Sequence, residues 1–157
     1  MKKSMRKFVC FVLAALLLTS LVLAVEAPAA DDQITPRASY YLSGYSSGLV
    51  AKGNRKMNVN YSVYGTRTMD KIGVDEILIE YWNGSDWVTD HHVYGSKHPE
   101  FYSTEEIGHA GGYSFYGMPG LKYRATVTAY AELDGGSDTG EITSQEVVCV
   151  GGTLPST

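Results

Sequence analysis

Four histidines and several carboxylates between residues 90 and 109 are the side chains that could hold a metal ion. They are Asp90, His91, His92, His98, Glu100, Glu105, Glu106 and His109. A catalytic zinc site normally needs three convergent ligands. Adjacent residues of a β-strand face opposite sides of the sheet, so His91 and His92 cannot both bind one ion unless the strand bulges. We therefore predict no metal and no cofactor, with a metal-dependent hydrolase that uses these histidines as the alternative.

Other catalytic arrangements find no support in the sequence. The segment 134–138, Asp-Gly-Gly-Ser-Asp, resembles a calcium loop but lacks the closing bidentate glutamate, and is predicted to be a plain loop. Gly44-Tyr45-Ser46-Ser47-Gly48 matches Gly-x-Ser-x-Gly, but it lies within the predicted strand 40–51 with no helical pattern after it, so it does not form the strand-to-helix elbow of a nucleophilic serine. Cys149 alternates with valines and has no histidine near it in sequence, which favours a small apolar residue over a nucleophile. We predict no catalytic residues and a protein that is not an enzyme.

Aromatic residues are the compositional excess that points to binding. Without the first 29 residues the chain keeps 12 Tyr, two Trp and two Phe. A tight turn at 83–86 separates Trp82 from Trp87, and direct pairing of the two would place both rings on one outer face of a sheet. Exposed rigid aromatic side chains contact sugar rings or protein partners. We predict a contact surface formed by Trp82 and Trp87, helped by Tyr64 and Tyr94, for a cell-surface glycan or protein.

The register of this hairpin leaves a second possibility open. A β-bulge in this hairpin would turn Trp87 inward, towards the core. A large ring against the core is common in β-sandwiches. Whether the Trp pair is exposed therefore depends on the register of one hairpin.

The elements that must position these residues are β-strands. Apolar residues alternate with polar ones from Met57 to Val63, and again from Leu121 to Tyr130, with no window of comparable helical spacing. Similar patterns occur at 40–51, 77–82, 87–94, 113–116 and 142–150. Turn residues lie between them, at 52–55, 83–86, 95–99, 118–120 and 134–138. Seven short strands predict an all-β fold, a seven-stranded antiparallel β-sandwich of the fibronectin type III or immunoglobulin-like kind.

The segment Gly120-Leu121-Lys122-Tyr123-Arg124-Ala125-Thr126-Val127 resembles the E-to-F corner and F strand of fibronectin type III domains. In that family a Pro-Gly turn precedes a buried apolar residue and a corner tyrosine. The resemblance implies that Tyr123 is the structural corner residue, with its ring at one end of the sandwich and its hydroxyl bonded to backbone.

The first 29 residues have the layout of a secretory signal peptide: Lys2 to Lys7 are largely basic, 8–25 are apolar, and small residues follow. The alternative is an uncleaved membrane anchor, because 18 apolar residues lie at the lower limit for a span. Four of the 13 Lys and Arg and one of the 17 Asp and Glu lie in this segment, so its removal changes the net charge from −4 to −7. That charge argues against nucleic acid and against electrostatic binding to anionic lipid.

The mature chain, with stretches such as Ala38-Ser39-Tyr40-Tyr41-Leu42 and Met69-Asp70-Lys71-Ile72-Gly73, also resembles short secreted single-domain proteins of unknown function from Gram-positive anaerobic bacteria. The predicted organisation is a signal peptide (1–29), a flexible leader (30–38), a β-sandwich (39–150) and a disordered tail (151–157). We predict a secreted, extracellular binding module without stable membrane insertion after cleavage. A structural coat protein without a specific ligand is the remaining alternative.

Overall fold

A computed structural model describes residues 39–151. In that range nine strands follow one another: β1 (Leu42–Gly53), β2 (Lys56–Met69), β3 (Lys71–Trp82), β4 (Trp87–Tyr94), β5 (Tyr102–Ser103), β6 (Glu106–Tyr116), β7 (Lys122–Leu133), β8 (Gly136–Thr143) and β9 (Val147–Val148). Its helical segments are the short 3₁₀ turns Gly95–Lys97 and Pro99–Phe101. The prediction of an all-β fold is confirmed. Residues 39–151 form nine strands and not the predicted seven, because β5 was not predicted and the predicted strand 142–150 is divided between the end of β8 and β9.

The strands form two antiparallel sheets. Sheet A has the order β1-β2-β6. Sheet B has the order β4-β3-β7-β8, and the short strands β5 and β9 extend it by pairing with β3 and β7. The inner faces of the two sheets share one hydrophobic core, which gives a sandwich-like architecture.

The core follows the period of two seen in the sequence. Met57, Val59, Tyr61 and Val63 of β2 are buried, and the residues between them are more exposed. In β7 the buried face comprises Tyr123, Ala125, Val127, Ala129 and Ala131. Small alanines in β7 leave room for the larger side chains of the facing sheet. The same alternation places Glu80 of β3 and Arg124 of β7, which pair with each other, on the outer face of sheet B.

The C-terminal part of the sandwich differs from the prediction. A five-residue loop was expected at 134–138, followed by a strand from 142 to 150. Instead Leu133 pairs with Gly136, so the turn consists of Asp134 and Gly135 alone, and β8 begins at Gly136. Both turn residues have positive φ, 52° and 77°, as a two-residue hairpin turn of type I′ requires. The strand therefore begins six residues earlier than predicted.

The predicted signal peptide, the predicted leader and, apart from residue 151, the predicted tail lie outside the described residues. In the part of the chain that is described, no helix has the length and apolarity needed to cross a membrane.

Candidate functional site

The turn that joins β3 to β4 is held by the side chain of its first residue. The Oδ1 atom of Asn83 accepts hydrogen bonds from the backbone N–H groups of Ser85 and Asp86, both at 2.9 Å. Asn83 N–H also donates to the carbonyl of Asp86 at 3.1 Å. Asparagine favours such turns because its short amide bonds to nearby backbone. The turn brings the last residue of β3 opposite the first residue of β4.

Trp82 and Trp87 are direct cross-strand partners at this hairpin end. Their ring centroids are 5.5 Å apart and their planes are inclined at 58°. Both side chains are half-buried. They lie on the outer face of sheet B, because Ile79 and Tyr81, on the alternate positions of β3, face the core.

A β-bulge at Asp90 is what places Trp87 on that face. Ile79 pairs with His91 and Glu80 pairs with Thr89, which leaves Asp90 without a partner. The extra residue shifts the alternation of β4, so that His91 points inward while Thr89 and Trp87 point outward. The bulge thus has the opposite effect to the one considered from the sequence, where a bulge was expected to turn Trp87 inward.

Arg124 of β7 completes the arrangement. Its guanidinium carbon lies 4.3 Å from the centre of the Trp87 ring, and its Nε donates to Oε2 of Glu80 at 2.8 Å. The side chains of Arg124 and Glu80 are 32% and 14% exposed. We refer to Glu80, Trp82, Trp87 and Arg124 as the hairpin cluster. Sequence reasoning missed Arg124, because it becomes a neighbour of Glu80 only through the pairing of β3 with β7.

The two tyrosines predicted to help the tryptophans lie elsewhere. Tyr94 is on β4 and is 43% exposed, but it pairs with Glu76, a full strand length from the hairpin, and its ring contacts His92 at 4.3 Å. Tyr64 is 53% exposed on β2 in sheet A. The structure therefore brings Trp82 and Trp87 together and leaves Tyr64 and Tyr94 outside the cluster.

Each of the four histidines has its own polar neighbour. His91 contacts the Phe115 ring and lies 3.2 Å from the carboxylate of Asp90. His92, on the opposite face, pairs with Glu76. His98 stacks on Phe101 and bonds Glu100 at 2.8 Å, and His109 bonds the hydroxyl of Ser103 at 2.9 Å. Burial lowers the pKa of His109.

A cleft of about 380 Å³ is lined by His91, His92 and His98, together with Asp90, Lys97 and Tyr113. Across residues 39–151, however, no three His, Cys, Asp or Glu side chains come together in a way that could hold a metal ion. The histidines each have a neighbouring carboxylate or hydroxyl instead.

Cys149 is buried beside β7. Its thiol donates a long hydrogen bond of 3.7 Å to the carbonyl of Arg55, and burial raises the pKa of the thiol. A raised pKa reduces the thiolate fraction, which is the nucleophilic form. This environment favours a packing role for Cys149.

Tyr123 lies at the start of β7 with no exposed surface. Its hydroxyl accepts a hydrogen bond of 2.9 Å from the backbone N–H of Met118, five residues earlier. Its ring contacts Phe115 and Tyr81 with centroid separations of 5.6 and 6.1 Å. The Tyr123 hydroxyl thus bonds backbone, and its ring packs in the core at the start of β7.

A second cluster of a cation and aromatic rings lies at the other end of β3. Gly73 pairs with Tyr102 of β5 on one side and with Tyr130 of β7 on the other. Because Gly73 has no side chain, the two rings approach each other, with centroids 6.2 Å apart and planes at 85°. The Nζ atom of Lys71 lies 3.7 Å from the Tyr102 centroid and 5.3 Å from that of Tyr130. We call these four residues the lysine slot.

Carboxylates bind the outer ends of both tyrosines of the lysine slot. The Tyr102 hydroxyl donates to Asp75 at 2.7 Å and the Tyr130 hydroxyl donates to Glu132 at 2.5 Å. Burial, and then the neighbouring carboxylate, raise the pKa of both phenols, that of Tyr130 to about 12. The ammonium of Lys71 thus lies against two aromatic rings whose hydroxyls are bonded to carboxylates.

No protein-family model matches the chain. No curated protein matches its sequence either.

Proposed function

We propose that the protein is a secreted, non-catalytic β-sandwich that acts outside the cell as a binding module, with the hairpin cluster as its contact surface. The observation that carries the proposal is the pairing of Trp82 with Trp87 on an outer face, with the guanidinium of Arg124 against Trp87. Trp and Arg are the residue types that contribute most to binding energy at interfaces. Since the rings are only half-buried, part of their surface is available to a ligand.

The strand order supports a fibronectin type III kind of sandwich. In the constant-type immunoglobulin domain the fourth strand pairs within the sheet of the first, second and fifth strands. Here β4 instead extends the sheet of β3, β7 and β8. The Tyr123 hydroxyl bonded to backbone before β7 is a second point of agreement.

The N-terminal sequence supports export. A basic start, an apolar run of 18 residues and a small-residue exit characterise signal peptides. The one cysteine after this segment, Cys149, forms no disulfide, and the module depends for stability on its buried core.

The test is to compare the mature protein with its Trp82→Ala and Trp87→Ala variants on intact Gram-positive cells, purified peptidoglycan and a glycan array. Loss of either ring is expected to reduce binding at least tenfold while circular dichroism and thermal unfolding show a folded protein. Tyr116→Ala is the matched control, since it removes an aromatic ring that is 67% exposed in sheet A. Binding by both folded Trp variants at the wild-type level, or no binding by the wild type, contradicts the proposal.

A further inference from the structure

We propose that the hairpin cluster recognises a carboxylate group on a saccharide, with Arg124 as the residue that binds the carboxylate. This inference rests on the proposed function and specifies its ligand. It comes from the orientation of one guanidinium group and from the charges around it.

Two contacts fix the orientation of the Arg124 side chain. Its Nε donates to Glu80 at 2.8 Å, and its planar group lies over the Trp87 ring at 4.3 Å. A guanidinium has five N–H donors in a rigid fork, and Nε supplies one of them. Within the described range, the Arg124 side chain makes one hydrogen bond, from Nε to Glu80. The N–H groups of its two Nη atoms can therefore donate to a ligand. The side chain is 32% exposed, which leaves this edge accessible.

A pair of Nη donors in one plane matches a carboxylate, which has two acceptor oxygens in one plane. Because Glu80 and Trp87 fix the plane in advance, little side-chain entropy remains to be lost when the ligand binds. A neutral sugar hydroxyl uses one such donor at most with good geometry. The arrangement therefore favours an acidic ligand group over a neutral one.

The surrounding charges indicate that the ligand has isolated carboxylates rather than dense negative charge. Glu80 neutralises Arg124, and Lys122, the next cation on this face, pairs with Glu146 at 2.9 Å. The mature chain has a net charge of −7, which repels polyanions at long range. A single carboxylate can still replace water at the Nη groups of Arg124.

A saccharide is favoured because flat rings and hydroxyls border the guanidinium. Trp82 offers a rigid ring beside Trp87. The hydroxyl-bearing Thr89 pairs with Glu80 on the same face, and Thr126, two residues along β7 from Arg124, bonds Thr143 at 2.8 Å. Aromatic faces pack on the C–H surface of a sugar ring, and hydroxyls satisfy its polar edge.

The experiment compares binding of the mature wild type to three oligosaccharides of the same length: a uronic acid oligomer, its carboxyl-reduced neutral counterpart, and a phosphorylated oligomer. Isothermal titration calorimetry is expected to give at least tenfold tighter binding to the uronic acid form than to the neutral form. Equal affinities for the two, or tighter binding of the phosphorylated form, overturn the inference.

Two variants separate the effect of the paired Nη donors of Arg124 from the effect of its positive charge. Arg124→Lys keeps the positive charge but loses the paired donors, and is expected to lose about tenfold in affinity for the acidic oligomer while binding the neutral one as before. Lys122→Gln is the matched control and is expected to change affinity less than twofold. Wild-type discrimination by a folded Arg124→Lys protein overturns the inference.

Failure of the inference differs from failure of the proposed function. If acidic and neutral oligomers bind equally and Trp82→Ala weakens both, the binding surface stands and its assigned ligand group is wrong. If no oligosaccharide, cell or peptidoglycan preparation binds, the binding function itself is wrong.

Discussion

The hairpin cluster and the lysine slot lie at opposite ends of β3 and contain the same components: two aromatic rings, a cation against them, and carboxylates. They differ in what the cation contacts. Lys71 lies between two perpendicular tyrosine rings whose hydroxyls bond carboxylates. Arg124 contacts one ring and bonds one carboxylate through Nε alone.

This difference separates a structural cation from one that can bind a ligand. An ammonium is a compact charge, and that of Lys71 contacts two ring faces. A guanidinium bound along one edge still has donors on its other edge. We therefore expect substitutions in the lysine slot to alter mainly stability and substitutions in the hairpin cluster to alter mainly binding.

The largest expected effect is that of Gly73→Ala. A Cβ atom at Gly73 would overlap the carbonyl oxygen of Phe101 and lie 2.8 Å from Cα of Tyr102, so backbone would have to move. We expect the free energy of unfolding to fall by about 3 kcal/mol, at the upper end of the cost of overpacking. Urea denaturation measures this change in the free energy of unfolding.

The control for Gly73→Ala lies at the hairpin end. A Cβ atom at Gly84 meets no atom within 4 Å, although its φ of 109° is unfavourable for alanine. Gly84→Ala is expected to cost about 1 to 2 kcal/mol through backbone strain alone. If Gly84→Ala is as costly as Gly73→Ala, the lysine slot is not the more tightly packed of the two ends.

An intermediate effect is expected for Lys71→Met, which keeps an unbranched side chain and removes the charge. Loss of the contact with two rings is expected to lower the free energy of unfolding by about 1 kcal/mol. Arg124→Met is expected to lower it by about half as much, because the guanidinium contacts one ring where Lys71 contacts two. Urea denaturation of both variants measures stability, and the binding assay above measures affinity. Lys71→Met should have the larger effect on stability, and Arg124→Met should have the larger effect on affinity.

The smallest expected effect is a dependence of stability on alkaline pH. Unfolded tyrosine ionises near pH 10, whereas the pKa of folded Tyr130 is about 12. Between these values the folded state holds more protons, so the free energy of unfolding falls as pH rises from 10 to 12. Tyr130→Phe should reduce that fall by less than about 1 kcal/mol, since the phenol is partly exposed.

Urea denaturation of Tyr130→Phe at pH 9 and pH 11 checks this expectation, with Trp82→Phe as the control. The hairpin cluster contains no phenol, so Trp82→Phe should show the wild-type difference between the two pH values. An unchanged difference in Tyr130→Phe would show that the carboxylate-bound phenol contributes nothing to the pH dependence.

Local patterns in the sequence were sufficient for the strands and most of the core. The alternation from Met57 to Val63 predicts the buried face of β2, because a half-buried strand has a period of two. The beginning of β8 was predicted wrongly. Asp134-Gly135 is a strong two-residue turn signal, but the glycines and polar residues that follow it concealed the strand.

Only part of the hairpin cluster could be predicted from the sequence. Trp82 and Trp87 flank one turn, so their proximity follows from short-range sequence. Arg124 lies more than forty residues from Glu80, and their contact depends on the long-range pairing of β7 with β3. The bulge at Asp90 has no distinctive sequence signal, yet it decides which face Trp87 occupies.

The bulge absorbs one residue of β4 without moving the hairpin tip. Because Ile79 pairs with His91 and Glu80 pairs with Thr89, deletion of Asp90 would leave these pairs in place, and Trp87 would stay on the outer face of sheet B. The length of β4 at this point can therefore differ by one residue between related chains without changing which side chains the tip displays.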